Sequence, residues 1–262
     1  MKTKSIFEYY FFGTSLRYLQ DVQADWLVGD HPSGWGIRTN LSKFLEALED
    51  LGLQVTSRAC GELTKLLEEL SKPGQGSGLS EDQARRLSEQ MDRIRTTLDA
   101  ELQGFEAYVV TPKRIDVARL LKDVPSLFSP GTFAKLPDLA RYDLTEAGKC
   151  IAFERPTAAA FHLLRATEAI LRAYYLERVH RNRATLMWGP MVADLRTRKV
   201  LKIPETLLTN LDDIRITFRN PTQHPEKVYD IDEVQDLWGR CTDVISRMAR
   251  DFSLTAVAGG RP

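Results

Sequence analysis

The sequence lacks the features that mark membrane, disulfide-bonded and zinc-binding proteins. No apolar run of about 18 residues occurs in the chain, so no membrane partner is expected. The three cysteines lie far apart and form no CxxC pair, which argues against a disulfide framework and a zinc site. The N-terminal lysines and aromatic residues are interrupted by Glu8 and precede no clean cleavage site, so we interpret them as a helix start and not as a signal peptide. These absences favour the reducing cytoplasm.

A net charge of one sign and the common enzyme motifs are also missing. Lysine plus arginine and aspartate plus glutamate each total 36, so no overall basic field indicates a nucleic-acid partner. Such a partner must be inferred from local charge. No glycine-rich phosphate loop, nucleophile elbow or HExxH pattern occurs. We therefore expect neither a cofactor nor a bound metal.

Strand signals are almost absent, whereas apolar residues recur at steps of three and four along most of the chain. The sequence predicts an all-α fold, an antiparallel helical bundle preceded by a long helical hairpin. The hairpin would pair residues 41–70 with residues 80–107 around the breaker SKPGQGSG, with Ser80 as an N-cap. We assign residues 1–110 to this N-terminal arm, 111–253 to the bundle and 254–262 to a disordered tail.

The arm carries an excess of acidic residues, 13 against 8 basic residues between positions 41 and 107. Such a charge suits a partner-binding or dimerising arm. A solvated helical hairpin that packs on the rest of the chain also explains it, and we favour that second interpretation.

The connector RNPTQH lies between two predicted helices of the bundle. Besides residues typical of turns, it contains an arginine and a histidine. Phe218 would anchor the end of the preceding helix in the core, and Arg219 would leave at its rim. Asn220 and Pro221 are interpreted as the N-cap and first-turn proline of a short turn, and a second proline restricts the backbone after His224. Arg219 and His224 would thus be held near each other, as pre-organised catalysis requires. The helices are expected at residues 143–155, 156–179, 188–197, 204–218 and 230–252.

A glutamate lies within the apolar arc of the segment 156–179. Glu168 shares that arc with residues such as Phe161, and a carboxylate there is costly unless it is paired. Local pairing with Arg165 and Arg172 would satisfy it, and so would an ion pair across the bundle with Arg219. The sequence leaves open whether such a pair supports a site or only the fold.

Basic side chains are concentrated between positions 178 and 202, where seven bases face one acid, Asp194. A basic stretch with an aromatic residue, here Trp188, suits a phosphate backbone and one stacked base. A solvated loop and helix face is the alternative interpretation. Among the histidines outside the connector, His162 is interpreted as a hydrogen-bonded core residue and His31 as a loop residue. The candidate RNA-binding residues are Arg178, Arg181, Arg183, Arg196, Arg198, Lys199 and Lys202.

Residues 111–253 resemble the HEPN superfamily, small all-α domains often found as ribonucleases in prokaryotic toxin and antiviral defence systems. The motif of that family is an arginine, a spacer of about four to six residues and a histidine, placed just before the last long helix, with a polar residue after the arginine. Arg219, Asn220 and His224 match this motif. The segment EAGKCIAFERPTAAAFHLLRATEAILR (146–172) is also similar to the core helices of the family.

The resemblance implies a metal-independent endoribonuclease of the toxin or antiviral-defence type, with RNA as substrate. His224 would be the general base on a ribose 2′-OH, Arg219 would stabilise the phosphate in the transition state, and Asn220 would orient the phosphate or cap the turn. A homodimer with a composite site is implied as well. We also expect a restraint on activity, such as a cognate antitoxin or other regulatory partner, a regulated oligomer or occlusion by the N-terminal arm. Glu226 stands where some toxins of the family carry a tyrosine that an antitoxin modifies, which argues against that mode of neutralisation.

Two other interpretations remain open. A non-catalytic HEPN-like module would use the same basic cleft to bind RNA, a nucleotide or a protein. A helical scaffold would use Arg219 and His224 only to cap helices. The pair Arg155 and His162 also fits the loose form of the motif, but Pro156 takes the place of the polar residue and a long helix carries the histidine.

Overall fold

A computed structural model of the chain describes residues 4–32, 34–72, 77–179 and 186–251. The chain divides into two compact units, the first ending at Tyr108 and the second beginning at Val109. The prediction of an all-α fold is confirmed, because the described residues form helices and their only β features are two isolated bridges. No helix in these ranges is long and apolar enough to cross a membrane. The predicted tail, residues 254–262, lies outside the described residues.

The described part of the first unit contains five helices around a hydrophobic core of its own. Ser80 caps the last of them as predicted, since its hydroxyl accepts a 3.2 Å hydrogen bond from the N–H of Gln83. The segment 41–70, expected to be one arm of a hairpin, is broken at Gly52, whose φ of 74° ends a helix. The first arm of the predicted hairpin is therefore three helices and not one. The helices are α1 (Ile6–Gln20), α2 (Ile37–Leu51), α3 (Gln54–Ala59), α4 (Gly61–Leu70) and α5 (Glu81–Leu102).

The second unit is built around one long central helix, which packs along its sequence neighbour and along the last helix. Two 3₁₀ turns, Val124–Leu127 and Phe133–Lys135, connect its first two helices. The last described helix begins with a capping box, in which Asp230 accepts from the N–H of Glu233. The helices are α6 (Val117–Lys122), α7 (Asp138–Ala152), α8 (Pro156–Val179), α9 (Trp188–Thr197), α10 (Glu205–Ile214) and α11 (Ile231–Arg250).

Helix α7 begins earlier than predicted, at Asp138 instead of position 143. Pro137 precedes it with extended backbone, and an acidic residue in the first turn suits the positive end of the helix dipole. Asp143 therefore lies within the helix and not at its start, and its side chain is fully buried. Gly148 on the same helix allows α6 to approach closely, because a Cβ atom there would lie 2.7 Å from the carbonyl oxygen of Leu120.

Candidate functional site

The connector that carries Arg219 and His224 continues the preceding helix and is not a separate turn. After α10 the backbone forms a π-helical turn, Arg215–Arg219, and a further short helical turn, Asn220–Thr222. Asn220 is helical, with φ −66° and ψ −47°, and its N–H donates to the carbonyl of Arg215, so the predicted role of Asn220 as an N-cap is wrong. The wide turn admits Pro221, which has no N–H to donate within a helix. Such π turns are frequent at functional sites.

A buried tyrosine fixes the end of this turn. The hydroxyl of Tyr229 donates to the carbonyl of Phe218 at 3.0 Å and lies 2.7 Å from the hydroxyl of Thr222. Thr222 also donates to the Phe218 carbonyl, at 2.6 Å. Burial raises the pKa of Tyr229, so its hydroxyl stays protonated and available as a donor at neutral pH. Phe218 itself is buried in the core, as predicted.

The backbone of His224 is held on both sides while its side chain is exposed. Its N–H donates to the carbonyl of Pro221 at 2.9 Å, and its carbonyl accepts from the N–H of Lys227 at 3.2 Å. The imidazole itself is solvent-exposed, as is the side chain of Asn220. Both groups can therefore meet a ligand without a prior rearrangement of the turn.

A cleft of about 290 Å³ opens where this turn meets α8. Arg219 lines it from the turn and is partly exposed. Phe161, which the helical pattern placed on the apolar core face, is 51% exposed and lines the cleft instead. His224 directly follows Gln223, a residue of the cleft wall. The described lining residues are Phe161, His162, Leu164, Arg165, Glu168, Arg219, Thr222 and Gln223.

Glu168 connects α8 to the turn through charge. Its carboxylate lies 2.7 Å from the guanidinium of Arg172 and 3.6 Å from that of Arg219, so it makes both the local and the cross-bundle pair considered from the sequence. Arg165 does not join this ladder. In the part of the chain that the structure describes, Glu168 is the only charged partner of Arg219, and its 3.6 Å distance leaves the guanidinium fork open to another anion.

His162 and Arg165, which also line the cleft, belong to a cluster that the sequence did not predict. The buried carboxylate of Asp143 lies 2.9 Å from Nδ1 of His162 and accepts a 2.6 Å hydrogen bond from Nε of Arg165. A second nitrogen of Arg165 also contacts Asp143. Burial tends to raise the pKa of Asp143, but the hydrogen bonds from Arg165 and His162 outweigh it and hold that pKa below its usual range. The only signal in the sequence was the spacing of His162 and Arg165, one helical turn apart.

Comparisons with family models, curated proteins and solved structures found no match to this chain.

The predicted RNA-binding residues fall into several environments. Arg178 and Lys202 line a second cleft, of about 630 Å³, together with Arg247 and Arg250 of α11, which the sequence did not single out. Lys199 is exposed. The second cleft is also lined by Asp243 and Asp251, which pair with Arg247 at 3.0 Å and with Arg178 at 3.5 Å. Two other predicted residues are also paired with acids: Arg196 with Glu205 and Asp212, and Arg198 with Asp194. Arg181 and Arg183 lie outside the described residues.

Proposed function

We propose that the second unit is a metal-independent endoribonuclease of the HEPN type. The observation that supports this proposal best is the position of Arg219, which lines an open cleft and has, among the described residues, one carboxylate partner at 3.6 Å. The exposed imidazole of His224 follows on the same fixed turn. A guanidinium and an imidazole placed this way suit a phosphodiester better than a neutral ligand, because the guanidinium fork binds phosphate oxygens and an imidazole can serve as a general base.

In the proposed reaction His224 takes the proton of a ribose 2′-OH. The 2′ oxygen attacks the adjacent phosphorus, and the bond from phosphorus to the 5′ oxygen of the next nucleotide breaks. Arg219 stabilises the charge on the non-bridging oxygens of the pentacoordinate phosphate, and the exposed amide of Asn220 orients the phosphate. The products are a 2′,3′-cyclic phosphate and a 5′-hydroxyl.

The biological setting is also proposed from the resemblance. Two copies of the chain would place their motifs at one composite site, so the active form would be a homodimer. A ribonuclease that acts on its host needs restraint, which an antitoxin or another regulatory partner would supply. The cleft lined by Lys202 and Arg250 would guide the RNA backbone, because these two bases have no acidic partner among the described residues.

Cleavage of a labelled RNA in excess EDTA tests the proposal. We expect the wild type to cut and to leave cyclic phosphate ends, and we expect His224→Gln and Arg219→Lys each to cut about 10²–10³-fold more slowly. Arg155→Lys is the matched control, because Arg155 fits the loose motif but lies outside the cleft lining. Each variant must keep the melting temperature and the oligomeric state of the wild type.

Three results would contradict the proposal. Variants as active as the wild type would remove Arg219 and His224 from the chemistry. A wild type that cuts only after a divalent metal is added would disprove the metal-independent mechanism. A wild type and a His224→Gln variant that are both inert but bind RNA equally would favour the binding module.

A further inference from the structure

His162 is held in the cleft by a carboxylate that has no access to water. Asp143 is fully buried on α7, and Nδ1 of His162 lies 2.9 Å from its Oδ1 atom. The side chain of His162 is 26% exposed and lines the same cleft as Arg219. Because Nδ1 is occupied by the buried carboxylate, the exposed edge of the ring is the one that carries Nε2. The arrangement fixes both the orientation and the tautomer of the imidazole.

Both oxygens of Asp143 have a charged partner even without His162. The fork of Arg165 alone gives both carboxylate oxygens a charged donor. An imidazole added to this pair is held by its Nδ1 edge against an ionised carboxylate, which fixes the direction of its other nitrogen. Among the described residues, the charged groups that contact His162 or line its cleft are Asp143 from α7, Arg165 and Glu168 from its own helix, and Arg219 from the turn. These four groups are two carboxylates and two guanidiniums, so neither sign of charge is in excess around the ring.

We propose that His162 is the general acid of the cleft, which protonates the departing 5′ oxygen of the RNA, and that Asp143 positions it. This inference rests on the proposed function. As the bond between phosphorus and the 5′ oxygen breaks, the proton on Nε2 moves to that oxygen, and the 5′-hydroxyl product leaves. His224 receives the proton of the 2′-OH, so one proton is taken up and one is released in each turnover. The two histidines then exchange their protons with water.

A substrate whose leaving group needs no proton distinguishes this role from a structural one. The probe is an RNA with a single 5′-bridging phosphorothiolate, compared with the same sequence carrying ordinary oxygen at that position. A thiolate leaves without protonation, so loss of a general acid matters little for it. The variant is His162→Asn, because the asparagine amide can still donate to Asp143 while the group corresponding to Nε2 is removed.

We expect His162→Asn to cut the oxygen substrate about 10²–10³-fold more slowly than the wild type and the phosphorothiolate at a rate within about tenfold of it. His224→Gln should be slow on both substrates, because the base is still required. Asp143→Asn should resemble His162→Asn with a smaller loss on the oxygen substrate and the same rescue. His31→Asn, a histidine change in the first unit, is the control and should leave both rates unchanged.

The inference is overturned if His162→Asn cuts the oxygen substrate at the wild-type rate, or if it is equally slow on both substrates while its melting temperature is retained. If Asp143→Asn does not fold, the comparison of the two substrates with His162→Asn still decides. A wild type that cuts neither substrate contradicts the proposed function itself. A wild type that cuts both, with His162→Asn unaffected, contradicts only the role of His162.

Discussion

Glu168 faces Arg219 across the cleft, with 3.6 Å between Oε2 of the glutamate and Nη2 of the arginine. The same carboxylate makes a shorter contact, 2.7 Å, with Arg172 one turn further along α8. The glutamate is therefore anchored by its own helix and orients the arginine of the turn from a fixed point. That distance is too long for a strong hydrogen bond, so an incoming phosphate can compete for the guanidinium.

Glu168→Gln should show whether Glu168 acts by orienting Arg219 or only by adding negative charge to the cleft. The change removes a negative charge from the cleft, so RNA should bind at least as tightly, while a less well oriented Arg219 should lower kcat by about tenfold. Steady-state kinetics on a short RNA gives KM and kcat separately. The control is Glu146→Gln, which removes a comparable helical partner, 2.6 Å from Lys149, away from the cleft lining. A raised KM with unchanged kcat would show that Glu168 does not act through Arg219.

The sequence predicted the helices of the second unit better than its site. Apolar spacing located α9 at its exact bounds, Trp188–Thr197, and placed Phe218 in the core. The contact of Asp143 with His162 was not predictable, because the two residues lie on different helices and meet only through the packing of α7 on α8. Helical periodicity also misplaced Phe161, since it gives the direction of a side chain but not whether another element covers it.

The partners of the basic residues were equally hard to predict from the sequence. Counting charges along one segment gave a strong basic excess, but Glu205 and Asp212 come from the next helix and neutralise Arg196. In the opposite sense, Arg250 comes from α11 and adds an unpaired base, among the described residues, to the cleft that Lys202 lines. A local charge count cannot predict partners that are distant in sequence.

RNA affinity should therefore depend on the unpaired bases of the second cleft and not on arginines that are paired with acids. Lys202 and Arg250 have no acidic partner among the described residues, so Lys202→Gln and Arg250→Gln should each weaken binding and lower the slope of log affinity against log salt by about 0.7. Arg196→Gln is the control and should leave the slope unchanged. Fluorescence anisotropy of a labelled RNA, titrated at several salt concentrations, measures this slope. Equal slopes for all three variants would remove this cleft from the RNA path.

Asp143 should make the stability of the second unit depend on acid. Its pKa in the folded chain lies below the value of about 3.8 for an exposed aspartate, so its contribution is fully present above that pH. As the pH falls through the folded pKa, the proton disrupts the contacts with Arg165 and His162, and the contribution is lost. Urea unfolding should show Asp143→Asn about 1–3 kcal/mol less stable at pH 7, with a smaller difference at pH 3.

The matched control for that measurement is Asp236→Asn. Asp236 pairs with Arg114 at 2.9 Å, but both side chains are more than half exposed, so its loss should cost under about 1 kcal/mol at any pH. A difference for Asp143→Asn that stays constant between pH 7 and pH 3 would show that its charge is not what stabilises the fold.

Replacing a glycine by alanine should change stability in opposite directions at two helical positions. At Gly148 an added Cβ would lie 2.7 Å from the carbonyl oxygen of Leu120 and 3.0 Å from a methyl carbon of Val124, so Gly148→Ala should destabilise the second unit by about 1–3 kcal/mol. At Gly239 an added Cβ meets nothing within 4 Å, so Gly239→Ala should stabilise α11 by up to about 1 kcal/mol. Chemical denaturation of both variants measures the sign of each change in the free energy of unfolding. Two changes of the same sign would contradict the packing of α6 on α7.

Tyr229→Phe should loosen the turn that carries Arg219 and His224 while leaving the core intact. The substitution removes one buried hydroxyl, bonded to Phe218 at 3.0 Å, and Thr222 still donates to that carbonyl, so the loss should be near 1 kcal/mol. For a chain of this size that corresponds to a fall of about 2–4 °C in melting temperature, measurable by calorimetry.

The exposed tyrosine of α7 supplies the comparison, since Tyr142→Phe removes a hydroxyl at a position that is 57% exposed and should leave the melting temperature unchanged. RNA cleavage should fall for Tyr229→Phe but less than for Arg219→Lys, because the guanidinium is retained and only its support is weakened. Cleavage at the wild-type rate together with the lower melting temperature would show that the turn does not need this tyrosine to present its arginine and histidine.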